Sequence, residues 1–407
     1  MRKPNNIRFL ERGEGLAEQV STGISLHCHT QHSKEILDFV PYYAERIPVV
    51  SYLWRRELKR SIRENGHAPE FDTGYWTPPL TGRQVFEAES DHLAAMGLDG
   101  IVSITDHDSI YANLELREFL PEEKAPISME WTVPFGEAFF HIGVHNLPDE
   151  HAAEIREQLL AYTVAQGHPD DAKLTELFAM LCSYPEVLIV LNHPIWDIEM
   201  IGQQKHERSL ERFLIRHQQW FHAIEVNGFR AWNENEVAIE LAERLGLPIV
   251  SGGDRHCMHS NTMFNVSNAA SFSEFVDEVR VDGHSRIIVT PGYKRSLPAR
   301  QLASIAQILG NYEHFPVGRK IWSDRVYFDA KDGGGLMTLT EQWNGRQPLW
   351  ARAAMGCLGL MTHPWMLKVI EFAVADADIG RDDSVAPAFV DDGQVLPTAY
   401  QNREVKI

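Results

Sequence analysis

The chain has 407 residues, 44% of them hydrophobic, and a formal net charge of −19. That length suits one barrel of about 250 residues with additions better than three domains. The negative charge excludes the basic footprint of a duplex-binding protein, so duplex nucleic acid is not an expected partner. The four cysteines, Cys28, Cys182, Cys257 and Cys357, show no CxxC or paired spacing, which argues against a disulfide framework and for a reducing compartment. The stretch MRKPNNIRFLERGEG lacks the continuous apolar run of a signal peptide, so a cytoplasmic location is expected.

In chain order, strand-like segments fall at Gly23–His27, Gly100–Thr105, Ile127–Thr132, Phe139–His145, Val187–Asn192, Ala223–Asn227, Ile249–Gly253 and Arg286–Thr290. Helical patterns lie between them, such as Glu234–Leu245, which closes on Gly246. Such alternation predicts a parallel sheet with covered faces, hence an α/β fold of the distorted, TIM-like (β/α)7 barrel type. The barrel is expected over residues 1–295 and an accessory region, packed on it, over 296–407. A long insertion over about residues 36–81 interrupts the barrel after its first strand. It carries the basic segment LWRRELKRSIR and the aromatic, Pro-rich FDTGYWTPPL, the sort of loop that forms lids or specificity elements. Arg55, Arg56 and Lys59 are its candidate lid cations, a solvated helix face being the ordinary role of such a run. Past Ser296 the pattern gives a helix at Ala299–Leu309, a strand-like RVYFDA and the turn KDGGG. The apolar stretch Ala353–Ala373 contains His363, Pro364, Lys368 and Glu371. Those residues are costly in lipid, so a helix pair broken at Pro364 is expected, and no membrane partner.

Potential metal ligands gather where the apolar runs stop: His27 and His29, Glu35, His107, Glu130, His141, His193, Asp254 and His256. A strand that ends on a polar side chain delivers it to the mouth of a barrel, where such folds keep their chemistry. HxH sends both imidazoles to one face and turns Cys28 to the other. Asp106 is read as a partner orienting an imidazole or a water, with helix capping as the competing role. His145, His217, His222 and His259 are read as structural or loop residues.

The order HxH (His27, His29), TDHD (Asp106 to Asp108), a strand-end glutamate (Glu130), HIGVH (His141), HP (His193) and GDxH (Asp254, His256) resembles the polymerase and histidinol phosphatase (PHP) family over roughly residues 20–295. The resemblance implies one metal held by His27, His29, Glu130 and Asp254, and a second by Glu130, His141 and His193, with Glu130 bridging. It implies a third held by His107, His256 and an acid or histidine following HxH. Many members have a short SDG turn there; this chain has HTQHSKEIL, so Glu35 is the expected ligand, with His32 as competitor, or two metals alone are held. Two to three divalent ions of Zn, Mn or Fe are expected, since the ligands are nitrogen and oxygen without thiolate.

The family likeness implies a metal-dependent phosphoesterase, in which a hydroxide held between two metals attacks phosphorus in a small phosphorylated substrate. Arg230 in EVNGFRAW is the first candidate for gripping phosphate and Arg255 the second. HPIWD lacks the arginine that some members use on phosphate. Two other readings stand beside this one: hydrolysis of a C–N or C–O bond, as in amidohydrolases, and a non-catalytic metal-binding regulatory module. A homo-oligomer is left open.

Overall fold

The computed structural model describes residues 6–11, 16, 20–37, 48–65, 74–165, 171–310, 315, 318–330, 335–363 and 365–366. Pro364 and residues 367–373 of the expected helix pair lie outside them, as do residues 331–334 of the Gly-rich turn.

The architecture is mixed α/β, built on two five-stranded sheets. Along the first run β1 (Asn6–Phe9), β12 (Arg286–Val289), β11 (Met263–Ser267), β2 (Thr22–Cys28) and β5 (Asp99–Ile104). Along the second run β10 (Ile249–Gly252), β9 (Ala223–Asn227), β8 (Leu188–Leu191), β7 (Ala138–His145) and β6 (Met129–Phe135). Ile24, Leu26 and Ile101 of the first sheet share a buried cluster with Leu188, Val190, Ala223 and Val250 of the second, completed by Phe272, Phe275, Val276 and Val279 of the helix Phe272–Arg280. This packing between the sheets makes a filled core and not a pore.

The strands do not form one closed, all-parallel barrel. The β6–β7, β7–β8, β11–β12 and β11–β2 pairs are antiparallel. A parallel pair needs a crossover of about a dozen residues or more, whereas only Gly136 and Glu137 separate β6 from β7. Gly136, at φ +67°, makes that hairpin turn feasible. Strand β11 was not legible as a strand because Asn265 and Ser267 break its apolar run; both are buried.

The two sheets are stitched together at the ends of β2 and β5. Cys28 bridges Arg255, with His29 N–H donating to the Arg255 carbonyl at 2.8 Å. His107 bridges Glu130, with Asp108 N–H donating to the Glu130 carbonyl at 2.9 Å. Both seams run through predicted ligand motifs, so the backbone bonds that join the sheets also fix where the ligands stand.

A third sheet of four strands runs β14 (Gly335–Thr338), β13 (Val326–Ala330), β4 (Tyr75–Trp76) and β3 (Glu35–Ile36). It joins residues from both sides of the division expected near residue 295, so the insertion and the C-terminal region form one structure. The insertion helix Pro48–Asn65 adds to this: Glu57 accepts hydrogen bonds from the indole N–H groups of Trp343 and Trp350, both at 3.0 Å. Arg55, Arg56 and Lys59 are exposed, so the face proposed as a lid is solvated and the helix docks through Glu57. No helix among the described residues is long and apolar enough to cross a membrane.

Candidate metal centre

All nine predicted ligands converge on one site. Glu130, wholly buried, stands at its middle with its two oxygens facing different groups of histidines. Oε2 lies 3.1 Å from His27 Nε2, 3.4 Å from His29 Nε2 and 3.3 Å from His107 Nδ1. Oε1 lies 3.4 Å from His141 Nδ1 and 3.2 Å from His193 Nε2. Asp254 Oδ1 is 3.4 Å from His29 Nε2 and 3.8 Å from His27 Nε2.

Glu35 completes a second group, with Oε2 3.3 Å from His107 Nε2 and Oε1 3.2 Å from His256 Nε2. Its competitor His32 is elsewhere, with Nε2 3.1 Å from the Glu115 carboxylate. Glu35 is placed by the small sheet: β3 pairs it with Trp76, and β4 pairs in turn with β13. The C-terminal region thus supports a predicted ligand that stands almost three hundred residues earlier.

The residues fit a cation. Several groups of three or more, among them His27/His29/Glu130, His29/Glu35/His107 and His107/Glu130/His141, keep their ligand atoms within 4.8 Å of one another. Two donors each about 2.1 Å from an ion and about 90–110° apart are about 3.0–3.4 Å from each other, which is the spacing seen around Glu130. His29 Nε2, His107 Nδ1 and His141 Nδ1 are buried without hydrogen-bond partners although each faces a carboxylate. A buried nitrogen left unpaired is costly, and an ion between nitrogen and oxygen removes that cost.

Other side chains fix the imidazoles. Ser33 gives its proton to Glu35 Oε1 at 2.7 Å, so at 3.2 Å His29 Nδ1 is the donor to Ser33 Oγ and Nε2 keeps its lone pair for the site. His256 Nδ1 donates to the Asp254 carbonyl at 2.9 Å, which likewise frees Nε2. Asn192 Nδ2 donates to Glu130 Oε1 at 2.9 Å. His27, His193 and Asp254 hold φ of +66°, +25° and +47°, backbone that non-glycine residues adopt rarely and that the surrounding bonds must hold in place.

The carboxylates and imidazoles of the cluster shift one another's protonation. Burial alone would raise the pKa of Glu130, but His27, His141 and His107 hold it well below the ordinary carboxylate range. Burial likewise works against ionised Glu35, and His256 and His107 overrule it. Burial would lower the His107 imidazole, yet Glu35 and Glu130 raise it to about 10. His29 and His141 go the other way, to about 4, chiefly through burial. Glu130 and Glu35 are therefore held in the ionised form that a cation requires of its carboxylate ligands.

Three residues expected to act on substrate differ in placement. Arg230, 8% exposed, lies over the Trp196 ring at 3.3 Å, and its Nη2 is 3.4 Å from Asp254 Oδ2. Arg255 turns away from the cluster: Nη1 meets Glu89 Oε1 at 3.1 Å and Nε donates to the His259 carbonyl. Its guanidinium is thus engaged by Glu89 and the His259 carbonyl and does not face the cluster. Asp106 accepts from the Thr30 N–H at 2.5 Å and the Thr30 hydroxyl at 2.7 Å. It anchors the turn after His29, both of these bonds going to Thr30 and neither to an imidazole. The sequence reading missed Ser33, Asn192 and Glu225; only Glu225, an acid inside the apolar strand AIEVN, left a signal.

Glu35→Ala is expected to empty one metal position while those held by His27, His29, His141 and His193 stay occupied. Anomalous scattering from metal-loaded crystals checks this, and unchanged occupancy would count against the assignment.

The chain matches no protein-family model and no curated protein. Among solved structures, PsfC from Pseudomonas syringae is 18% identical over 51% of this chain and 83% of its own, with a TM-score of 0.35. An amidohydrolase from Chromobacterium violaceum, solved with bound sulfate and no metal, is 15% identical over 57% of this chain and 87% of its own, at 0.33. A protein from Bifidobacterium adolescentis assigned as a metal-dependent phosphoesterase is 13% identical over 64% of this chain and 96% of its own, at 0.32. Likeness at this level decides nothing about function.

Proposed function

We propose that this chain is a metal-dependent hydrolase of the PHP type, acting on small phosphate esters. The observation that carries the reading is the sharing of Glu130: one buried carboxylate faces His27, His29 and His107 with one oxygen and His141 and His193 with the other. Divalent ions in such a site supply a water acidic enough to act as nucleophile near neutral pH, together with positive charge against phosphoryl oxygens. The protein's own residues do the rest. Glu130 and Asp254 set the spacing of the positions, while Glu35 with His107 and His256 defines a further one beside Trp76, whose ring is 5.6 Å from that of His256.

Arg230 favours an anionic substrate over a neutral amide. Its guanidinium is stacked on Trp196, and its buried Nε has no hydrogen-bond partner among the described residues. Held beside Asp254, it is placed to take a phosphate oxygen that enters the site.

The test is a screen of the purified chain against phosphomonoesters, phosphodiesters and amides, with Mn²⁺ and with a chelator. Monoester turnover that the chelator abolishes and Mn²⁺ restores is the expected result. Turnover of amides alone would favour the C–N hydrolase, and no turnover the non-catalytic module. Arg230→Ala should lower kcat/KM by about 10- to 100-fold, the scale of one lost hydrogen bond to a charged group. An unchanged value would return Arg230 to a structural role.

A further inference from the structure

Glu225 lies in β9 beneath the metal cluster and is only 2% exposed. Both of its oxygens are used. Oε1 is 2.5 Å from His27 Nδ1, while Oε2 accepts the His193 backbone N–H at 2.9 Å and Asn227 Nδ2 at 3.0 Å. The carboxylate therefore touches the ring of one predicted ligand and the backbone of another. These two residues carry left-handed backbone, at φ +66° and +25°. The neighbouring strand makes room for it: a Cβ on Gly252 would stand 1.7 Å from Glu225 Oε1. A side chain there would displace the acid, so the glycine is required by Glu225 and not by its own backbone angles.

We propose that Glu225 is a positioning residue of the metal centre, which orients the His27 ring and pins the strained backbone at His193. A carboxylate on Nδ1 directs Nε2 of His27 toward the site and makes it a better donor, as partners on the far nitrogen of ligand histidines generally do. The His193 N–H bond holds the start of the HP turn, so one acid sets ligands on both sides of Glu130. Removing it changes no ligand atom, but frees one imidazole to rotate and one loop to relax.

This inference rests on the cluster being a metal centre, and the experiment separates the two. Mn²⁺ binding to the full-length chain is measured by equilibrium dialysis for wild type, Glu225→Gln and Glu225→Ala, alongside thermal unfolding of each metal-free protein. If wild type takes up no Mn²⁺, the metal centre itself fails. If wild type binds, Glu225→Gln should weaken the tightest step by about 10- to 100-fold, with excess Mn²⁺ restoring the wild-type count and the metal-free melting temperature staying close to wild type. Glu225→Ala should weaken binding further. Wild-type affinity in both variants would overturn the proposal. So would metal-free unfolding at a much lower temperature with every position lost together, since that marks a structural role. A metal-loaded crystal showing an ion bonded to Glu225 itself would also overturn it, by making the residue a ligand.

Discussion

Glu130→Gln should remove metal from both sides of the cluster and lower turnover by on the order of 10³-fold or more, the scale on which a metal-generated nucleophile is lost. Five imidazoles lie within 3.4 Å of its two oxygens. A glutamine keeps one acceptor but puts an amide N–H₂ where the other oxygen stood. That group cannot bind a cation and would face histidine nitrogens as a second donor. A single histidine variant removes one ligand from one position, and so should retain more metal than Glu130→Gln. Metal content and turnover of Glu130→Gln, compared with His141→Ala, check this; an equal loss in the two would refute the shared role.

Glu89→Ala should destabilise the metal-free protein by about 3–5 kcal/mol, the cost of breaking a buried ion pair from one side. Glu89 is fully buried and faces Arg255 Nη1 at 3.1 Å. It also accepts the Ser25 hydroxyl at 2.9 Å and the Asn261 N–H at 3.1 Å. Its removal leaves a buried guanidinium, a hydroxyl and an amide without their acceptor. Arg255 lies between the proposed ligands Asp254 and His256, and Ser25 two residues before His27, so metal binding should weaken as well. Denaturant unfolding of wild type and variant measures the loss. A change under about 1 kcal/mol would mean that the pair contributes little beyond an exposed salt bridge.

The converging residues were legible as candidates because most stand in short motifs in or just after a strand, among them His27 in Thr22–Cys28 and Glu130 in Met129–Phe135. Glu35 was legible as a candidate, but its support was not. The strand that holds it is built with Trp76 and with Val326–Ala330, pairings that no local pattern encodes. Arg255, read as the second phosphate candidate, points instead toward Glu89 on the helix Gly82–Ala94, a contact that the sequence around it does not announce. The all-parallel expectation fails at β6–β7 for a local reason, since the Gly136–Glu137 turn leaves no room for a crossover, and fails at β7–β8, β11–β12 and β11–β2 through pairings that no local pattern encodes. Glu225 stood out as an acid in an apolar strand, but its contact with His27 depends on two strands meeting across 198 residues of sequence.

Elemental analysis of the purified full-length chain, before and after reconstitution with Mn²⁺, Zn²⁺ or Fe²⁺, tests the central claim most directly. About two to three divalent ions per chain are expected from this nitrogen and oxygen ligand set, lost with a chelator and regained with metal. Less than one ion per chain after reconstitution would contradict the metal centre.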